Sequence, residues 1–268
     1  MNPIRRYPQV TFWLIAWATS FFGWYMYARD PDGPWTFFLY GPFVGGILVT
    51  AIADGRRGLK TYFSRIVRWR VGIQWYAVAL LLPLVLRLAA FGLNIVSGAT
   101  VTTGQVPPLA DHLVGILFPS FFGLALAEEP GFRGFALPRL LEGRSALAAS
   151  LILGVLHAVW HIPLFIFGSD SPIIIPIVIS GAIINTWVFN NTNGSVLTAM
   201  LLHTSVDRMV YIFNPLFSGA DAERQAIWVA VVYVAMAILL PIVTGLELGR
   251  KPEAATERVT AEQPLAVQ

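Results

Sequence analysis

The sequence predicts an all-α, polytopic membrane protein, built as a transmembrane helical bundle of about eight spans. Of its 268 residues, 56% are hydrophobic and only 12% are charged, whereas a soluble domain carries roughly 25% charged residues. Apolar runs of about 18 residues or more, long enough to cross a bilayer as helices, recur along the chain. The absence of cysteine excludes disulfides, thiolate metal sites and cysteine nucleophiles. The net charge of +3 does not indicate nucleic acid as a partner.

Eight apolar segments are predicted to span the membrane, with ends placed to about 2–4 residues. In chain order they are Val10–Ala28, Trp35–Ala53, Ile73–Val96, Leu113–Leu137, Ala146–Phe167, Pro172–Phe189, Ser195–Phe213 and Ala226–Leu246. The first is too long for a signal-peptide core and no small-residue cleavage pattern follows it, so we interpret it as a retained span. The fourth contains charged residues, and treating it as re-entrant gives seven spans as the alternative.

Basic residues concentrate in the loops on one side of this arrangement. They are Arg5, Arg6, Arg56, Arg57, Lys60, Arg65, Arg68, Arg70, Arg139, Arg144, Arg250 and Lys251. The positive-inside rule therefore predicts a multi-pass protein of the cell membrane with both termini in the cytoplasm. The segment Gly55–Arg70 mixes basic, aromatic and aliphatic residues, which is typical of a helix in the cytoplasmic interface, although it could serve only as a topology anchor.

Two adjacent carboxylates interrupt the fourth span. On insertion scales a charge at a helix centre costs about +2.5 to +3.5 kcal/mol, so intramembrane charges are usually paired, lining a cavity or functional. Glu129 and Arg133 are four residues apart and could form an ion pair on one helix face, with Pro130 kinking the backbone or starting a new turn. Glu128 would then remain the unpaired carboxylate, suited to act as a general base. The alternative is a buried ion pair that closes a helix junction.

Two histidine motifs follow in later spans. His157 and His161 share a helix face and could bind a metal, but no His-Glu-x-x-His motif is present, and both could be satisfied core histidines. His203 and Asp207 also share a face, so Asp207 could accept a hydrogen bond from the imidazole and fix its tautomer. The alternative is an internally satisfied polar pair, with Arg208 reaching solvent or Asp207. Proton pathways, metal sites and hydrolytic sites all remain possible on these residues.

These motifs resemble those of a known family. The pattern Glu128-Glu129-x-x-x-Arg133, followed by His161 and then by His203-x-x-x-Asp207, is similar to the three polar motifs of the CPBP family. These are the CAAX-protease and bacteriocin-processing membrane proteins, also called the Abi family or type II CAAX prenyl endopeptidases. The resemblance covers roughly Asp111 to Phe213.

The sequence departs from the family pattern at two places. His157 stands where the family usually has Phe, and we expect it either to pack in the core or to hydrogen-bond a residue of the site. Asp207 stands where the last motif commonly has Asn. With the resemblance, the chain divides into N-terminal transmembrane helices with the basic interfacial segment (1–110), a CPBP-type peptidase core (111–215), a last transmembrane helix (216–250) and a disordered cytoplasmic tail (251–268).

The resemblance implies an intramembrane endopeptidase of the CAAX-protease type. Glu128, with His161, would activate the attacking water, and Arg133 would hold Glu129 and shape the site. His203 and the carboxylate four residues after it would stabilise the tetrahedral oxyanion. The implied substrate is a peptide or protein segment within the lipid bilayer, which is lipidated in one branch of the family.

The family is often called a metallopeptidase family, but its residues leave the need for a metal open. His161, His203 and Glu128 would suit one divalent metal such as zinc with an open position. The same groups would also serve metal-free glutamate catalysis with a polar oxyanion site. Other functions for this chain are a proton- or cation-coupled transporter, or a catalytically silent membrane scaffold or immunity protein.

The predicted spans place the two key histidines at different depths. On straight helices His203 would lie roughly 12 Å from the cytoplasmic edge and His161 roughly 22 Å from it. A shared site therefore requires tilted spans, a displaced start for the span beginning at Ala146, or shifted boundaries, and we expect shifted boundaries. We also predict that Glu128, His161, His203 and Asp207 line one cavity.

Overall fold

The computed structural model describes residues 2–102, 111, 114–167 and 171–249, and within these residues helices are the only regular secondary structure. Six helices are long and apolar enough to cross a membrane. The predicted polytopic helical bundle is confirmed, and the chain is a multi-pass membrane protein. The tail predicted to be disordered (251–268) lies outside the described residues.

We label nine helices in the described part of the chain. Their bounds are α1 Pro8–Arg29, α2 Trp35–Ala53, α3 Gly55–Ile66, α4 Ile73–Val96, α5 116–140, α6 Ala146–Phe167, α7 Ile174–Asn191, α8 Val196–Phe213 and α9 Gly219–Thr244. Each predicted span coincides with one of these helices. The largest difference is at α9, which starts seven residues before the predicted Ala226 because its first two turns are polar and the apolar run does not mark them.

The helix that carries the acid pair, α5, is continuous but irregular. Two of its segments, Ile116–Ala125 and Pro130–Ala136, have the wide turns of a π-helix. At the end of each, the backbone N–H bonds a carbonyl five residues back, from Leu126 to Phe121 and from Leu137 to Phe132. Such wide turns are rare and occur frequently at functional sites. In α5 they flank the regular turn that holds the two glutamates.

The basic helix α3 is attached to the helices around the site. Tyr62 is its buried residue, and its ring packs against Gly46 of α2 and Gly134 of α5, where an added Cβ would lie 2.7 Å and 3.3 Å from it. Arg65 donates a hydrogen bond of 3.2 Å to the Gly134 carbonyl. The predicted interfacial segment therefore packs onto α5, and its basic residues Arg56 and Lys60 stay exposed.

Two apolar clusters hold the bundle together. The first joins α1, α5 and α6 through aromatic rings, with Trp13 stacked on Phe132 at 5.4 Å and Phe12 close to Phe135 at 4.8 Å. The second joins α4, α7, α8 and α9 through smaller residues such as Ala90 and Ile184. Members of both clusters line one cavity, so the polar residues of the site lie between the two halves of the bundle.

The expected boundary shift is wrong. Helix α6 starts at Ala146, as predicted, and α8 starts at Val196, one residue after the predicted position. His161 and His203 nevertheless line the same cavity. With the boundaries unchanged, the two helices must be displaced or inclined relative to each other along the bundle. The depth estimate from the sequence assumed straight helices that start at the same level.

Candidate active site

Glu129 is the centre of a saturated polar network. Its side chain is 1% exposed, and its Oε1 lies 3.0 Å from Arg133 Nη1 and 2.8 Å from His203 Nδ1. Its other oxygen, Oε2, accepts a hydrogen bond of 3.3 Å from the Asn185 amide. The predicted Glu129–Arg133 pair is therefore present within α5. Glu129 also links α5 to α7 through Asn185 and to α8 through His203. Asn185 belongs to none of the three polar motifs, although an amide within an apolar span is the kind of signal that marks such a partner.

Glu128 has a different environment. It is 4% exposed, and its Oε2 lies 3.0 Å from His157 Nε2. Its second oxygen, Oε1, has no hydrogen-bond partner among the described residues, and the side chain lines the cavity. The two adjacent carboxylates thus differ, because Glu129 is fully engaged and Glu128 keeps one oxygen for a ligand.

The histidine in contact with Glu128 differs from the expected one. The resemblance pairs Glu128 with His161, but the residue hydrogen-bonded to it is His157, one helical turn earlier on α6. Of the two roles expected for His157, the structure shows the hydrogen bond, and its ring also packs on Phe132 at 4.2 Å. The family comparison placed an apolar ring at this position and therefore gave no signal for the contact.

His161 and His203 each have one ring nitrogen engaged. His161 Nδ1 donates a hydrogen bond of 3.1 Å to the His157 carbonyl, and His203 Nδ1 faces Glu129. The Nε2 atoms of both rings have no hydrogen-bond partner among the described residues, and both rings line the cavity. His161 is within electrostatic range of Glu128 and His203. Fixing Nδ1 in this way sets the tautomer of a histidine whose Nε2 works on a ligand.

The shared helix face suggested a hydrogen bond between Asp207 and His203, but Asp207 bonds to other residues. Its Oδ2 accepts hydrogen bonds from the Ser120 hydroxyl and from Arg208 Nη2, the latter at 3.0 Å. The imidazole of His203 is already taken by Glu129, a buried carboxylate on the facing helix α5. Asp207 is therefore an acceptor held between α5 and α8. Ser120, a single hydroxyl in an apolar run, was missed by the sequence analysis.

All residues proposed for the site reach one cavity of about 450 Å³. The proposed residues that line it are Glu128, Glu129, Arg133, His161, His203 and Asp207, and His157 joins them. Much of the remaining wall is aliphatic and aromatic. The structure thus brings the three motifs together, while the chemical role of each residue stays a prediction.

The described residues do not gather a metal centre. No group of three or more His, Asp or Glu side chains in this part of the chain is arranged to hold a metal ion. The candidate ligands His161, His203 and Glu128 all line the cavity, but they do not form a ready-made triad. This geometry does not fit a preassembled zinc site with three protein ligands.

Comparison with known proteins places these residues in a family. The family model described as type II CAAX prenyl endopeptidase, Rce1-like, matches residues 110–209. This segment contains the acid pair, His161, His203 and Asp207. The segment 110–209, less than half of the chain, is thus similar to the CPBP family. The resemblance stated from the motifs is therefore confirmed.

One relative of the chain is the CAAX prenyl protease 2 of Methanococcus maripaludis. The two are 25% identical over 161 residues, which cover 59% of this chain and 56% of the relative. The match thus spans about half the length of the relative. The CPBP segment ends before α9 and begins after α4, and both helices contribute residues to the cavity wall, including Leu86 and Tyr233.

Proposed function

We propose that this protein is a CAAX-protease-like intramembrane endopeptidase in which Glu128 activates the water that attacks the peptide bond. The observation that carries the proposal is the asymmetry of the acid pair. Glu129 is saturated by Arg133, His203 and Asn185, whereas Glu128 lines the cavity and has one oxygen, Oε1, that no described residue hydrogen-bonds. A general base needs such an accessible oxygen within reach of the water that it deprotonates.

The proposed reaction is a general base–general acid hydrolysis. Glu128 takes a proton from water, and the water oxygen bonds to the carbonyl carbon. The π electron pair of the carbonyl moves onto the carbonyl oxygen, which becomes the oxyanion. When the carbon–nitrogen bond breaks, the proton held by Glu128 passes to the leaving amine. His157, 3.0 Å from Glu128, orients the base through these steps.

His203 is the proposed oxyanion partner. As an imidazolium it donates from Nε2 to the developing oxyanion, and the Glu129 carboxylate at its Nδ1 stabilises the positive charge. Arg133 in turn keeps Glu129 in place. Asp207 Oδ2 accepts hydrogen bonds from Ser120 and Arg208, so this oxygen does not supply the oxyanion hydrogen bond that an Asn amide could supply at this position.

The proposed substrate is a peptide segment presented within the membrane. The apolar walls of the cavity fit a membrane-embedded or lipidated segment, and the name of the relative from Methanococcus maripaludis suggests a prenylated protein. Purified protein in liposomes is the preparation for the test. Internally quenched peptides, with and without an isoprenyl group, are the probes.

The decisive variant is Glu128→Gln, which keeps the size of the side chain and removes the base. We expect its kcat to fall by about 10²–10⁴-fold. Glu142→Gln, an exposed residue outside the cavity, is the matched control and should leave kcat unchanged. Full turnover by Glu128→Gln contradicts the proposal.

A second arm of the experiment repeats the assay with a chelator. Metal-free glutamate catalysis predicts unchanged turnover. A loss that zinc restores would instead assign His161 and His203 as ligands assembled on metal binding.

A further inference from the structure

The basic segment Gly55–Arg70 joins α2 to α4 at one end of the bundle. It contains no acidic residue and six basic ones, which are Arg56, Arg57, Lys60, Arg65, Arg68 and Arg70. Both α2 and α4 are long and apolar enough to cross a membrane. The segment between them therefore lies where the chain leaves the bilayer, at the membrane surface.

The outer side of this segment combines cations with exposed apolar side chains. Arg56, Lys60 and Phe63 follow one another at four and three residues on α3, so they share a face, and all three are exposed. Beyond the end of α3, Val67 and Trp69 are 66% and 61% exposed. Cations beside exposed aromatic and aliphatic side chains are typical of a helix that lies among lipid headgroups.

The cations of the exposed face have no counter-charge within the protein. Among the described residues, no carboxylate comes within 4 Å of the side-chain nitrogens of Arg56, Arg57 or Lys60. Asp54, the acidic residue next to the segment, is paired with Arg139 at the end of α5. The segment thus presents an excess of positive charge to its surroundings, which attracts an anionic partner.

The inner side of the segment is attached to both α5 and α8. Arg65 donates a hydrogen bond of 3.2 Å to the Gly134 carbonyl of α5. Arg68 donates to the Asn193 carbonyl, and its own carbonyl accepts a hydrogen bond of 2.6 Å from the Ser195 hydroxyl, at the start of α8. A partner that holds the segment at the membrane surface therefore also restrains the two helices that carry the acid pair and the last polar motif.

We propose that the exposed face of α3 binds the headgroups of anionic phospholipids, and that these lipids restrain α5 and α8 through the basic segment. Guanidinium and ammonium groups form charge-assisted hydrogen bonds with phosphate oxygens, while Phe63 and Trp69 enter the boundary of the acyl chains. A topology signal needs only the number of positive charges in a loop. The one-sided helix and its contacts with α5 and α8 are what a lipid-binding surface adds to it.

The experiment uses the full chain in phosphatidylcholine liposomes. Because the chain has no cysteine, Ser64→Cys carries a single fluorophore on α3. Ser64 is exposed, and its hydroxyl bonds only the Thr61 carbonyl of its own helix, at 2.8 Å. Small amounts of phosphatidylglycerol or phosphatidylcholine, each with a nitroxide near the headgroup, quench the fluorophore when they bind beside it. We expect phosphatidylglycerol to bind about tenfold tighter or more, and salt to weaken this preference.

A label at the other end of the bundle is the matched control for position. Ser218→Cys lies before α9, where Asp221 accepts a hydrogen bond of 2.9 Å from Thr100, just after the end of α4 remote from α3. This label should show no preference for phosphatidylglycerol. Equal quenching of the α3 label by both lipids, or an equal preference at both labels, would overturn the proposal.

Variants connect the preference to the three cations. Arg56→Gln, Arg57→Gln and Lys60→Gln combined should remove most of it. The exchange Arg56→Lys, Arg57→Lys and Lys60→Arg keeps the three charges on the same helix and should keep the preference. A preference that survives the three Gln substitutions refutes α3 as the binding surface.

Hydrogen exchange tests the restraint on α8. The Thr198 backbone N–H, which donates to Ser195 Oγ at 3.2 Å, belongs to the first turn of this helix. With phosphatidylglycerol in the liposomes, this turn should exchange about threefold more slowly or less often still, and the three Gln substitutions should abolish the difference. Equal exchange with and without phosphatidylglycerol contradicts the restraint.

Neither readout depends on cleavage of a peptide. A lipid preference with slowed exchange in a protein that cleaves no peptide supports the lipid surface and refutes the peptidase. Peptide cleavage without any lipid preference supports the peptidase and refutes the lipid surface.

Discussion

His157 contacts Glu128 across the packed surfaces of α5 and α6, so replacing it tests whether the base must be oriented. In His157→Phe the ring remains against Phe132, but the 3.0 Å hydrogen bond is lost. We expect kcat to fall roughly tenfold or more with KM unchanged, because a hydrogen bond to a charged group is removed. His157→Gln, which retains a donor, should recover part of the rate. Unchanged kcat in His157→Phe would reduce this residue to a packing role.

Asp207 and Arg208 form a nearly buried ion pair that a double-mutant cycle can test. Arg208 is 7% exposed, and Asp207 is its ion-pair partner at 3.0 Å. We expect Asp207→Ala to lower the free energy of unfolding by about 3–5 kcal/mol, because it leaves a buried charge uncompensated. Asp207→Ala combined with Arg208→Met should cost less than the sum of the single changes. Denaturant titration in detergent measures the free energy of unfolding of the wild type, the two single variants and the double variant.

Additive losses in that cycle would contradict a coupled pair. The kcat of the folded fraction is the second readout. An Asp207→Asn variant that is less stable but equally active identifies Asp207 as a residue that joins helices. A loss of kcat at unchanged stability would place its carboxylate in the chemistry instead.

At the scale of the helices, the position of the acid pair depends on close contact between α5 and α2. A Cβ added at Gly131, two residues after Glu129, would lie 2.4 Å from the Pro42 carbonyl oxygen of α2. We expect Gly131→Ala to destabilise the protein by about 1–3 kcal/mol, since the backbone cannot yield as a flexible side chain would. It should also lower kcat by moving Glu128.

The matched control for this change is Gly92→Ala in α4, where an added Cβ meets nothing within 4 Å. That variant should be neutral or stabilised by up to about 1 kcal/mol, because Ala is the better helix former. Thermal unfolding and kcat are measured for both variants. Equal behaviour of the two would show that the α2–α5 contact does not constrain the acid pair.

For the whole molecule, the untested prediction is its orientation in the membrane, with the basic segments on the cytoplasmic side. The chain has no cysteine, so a single cysteine introduced at one site can be labelled without background. Arg56, in the basic helix α3, is predicted to face the cytoplasm, and Glu223, in the first turns of α9, is predicted to face the opposite side. With a membrane-impermeant maleimide on intact cells, Glu223→Cys should label and Arg56→Cys should not, whereas both should label after lysis. The reverse pattern would invert the topology.

The sequence by itself determined the class of the protein, the positions of its helices and the three polar motifs that line the cavity. Long apolar runs and the cost of intramembrane charge are local properties, so they can be read along the chain without knowing which helices touch. For the same reason the four-residue spacing of Glu129 and Arg133 predicted their pair, which lies within a single helix.

Only the tertiary structure decided which partners these residues meet. The contact of Glu128 with His157 joins residues 29 apart in sequence, and that of Asp207 with Ser120 joins residues 87 apart. Both depend on how each helix is rotated about its axis and displaced along it. Rotation and displacement come from packing between helices and from the wide turns of α5, and a pattern read along one helix does not specify them.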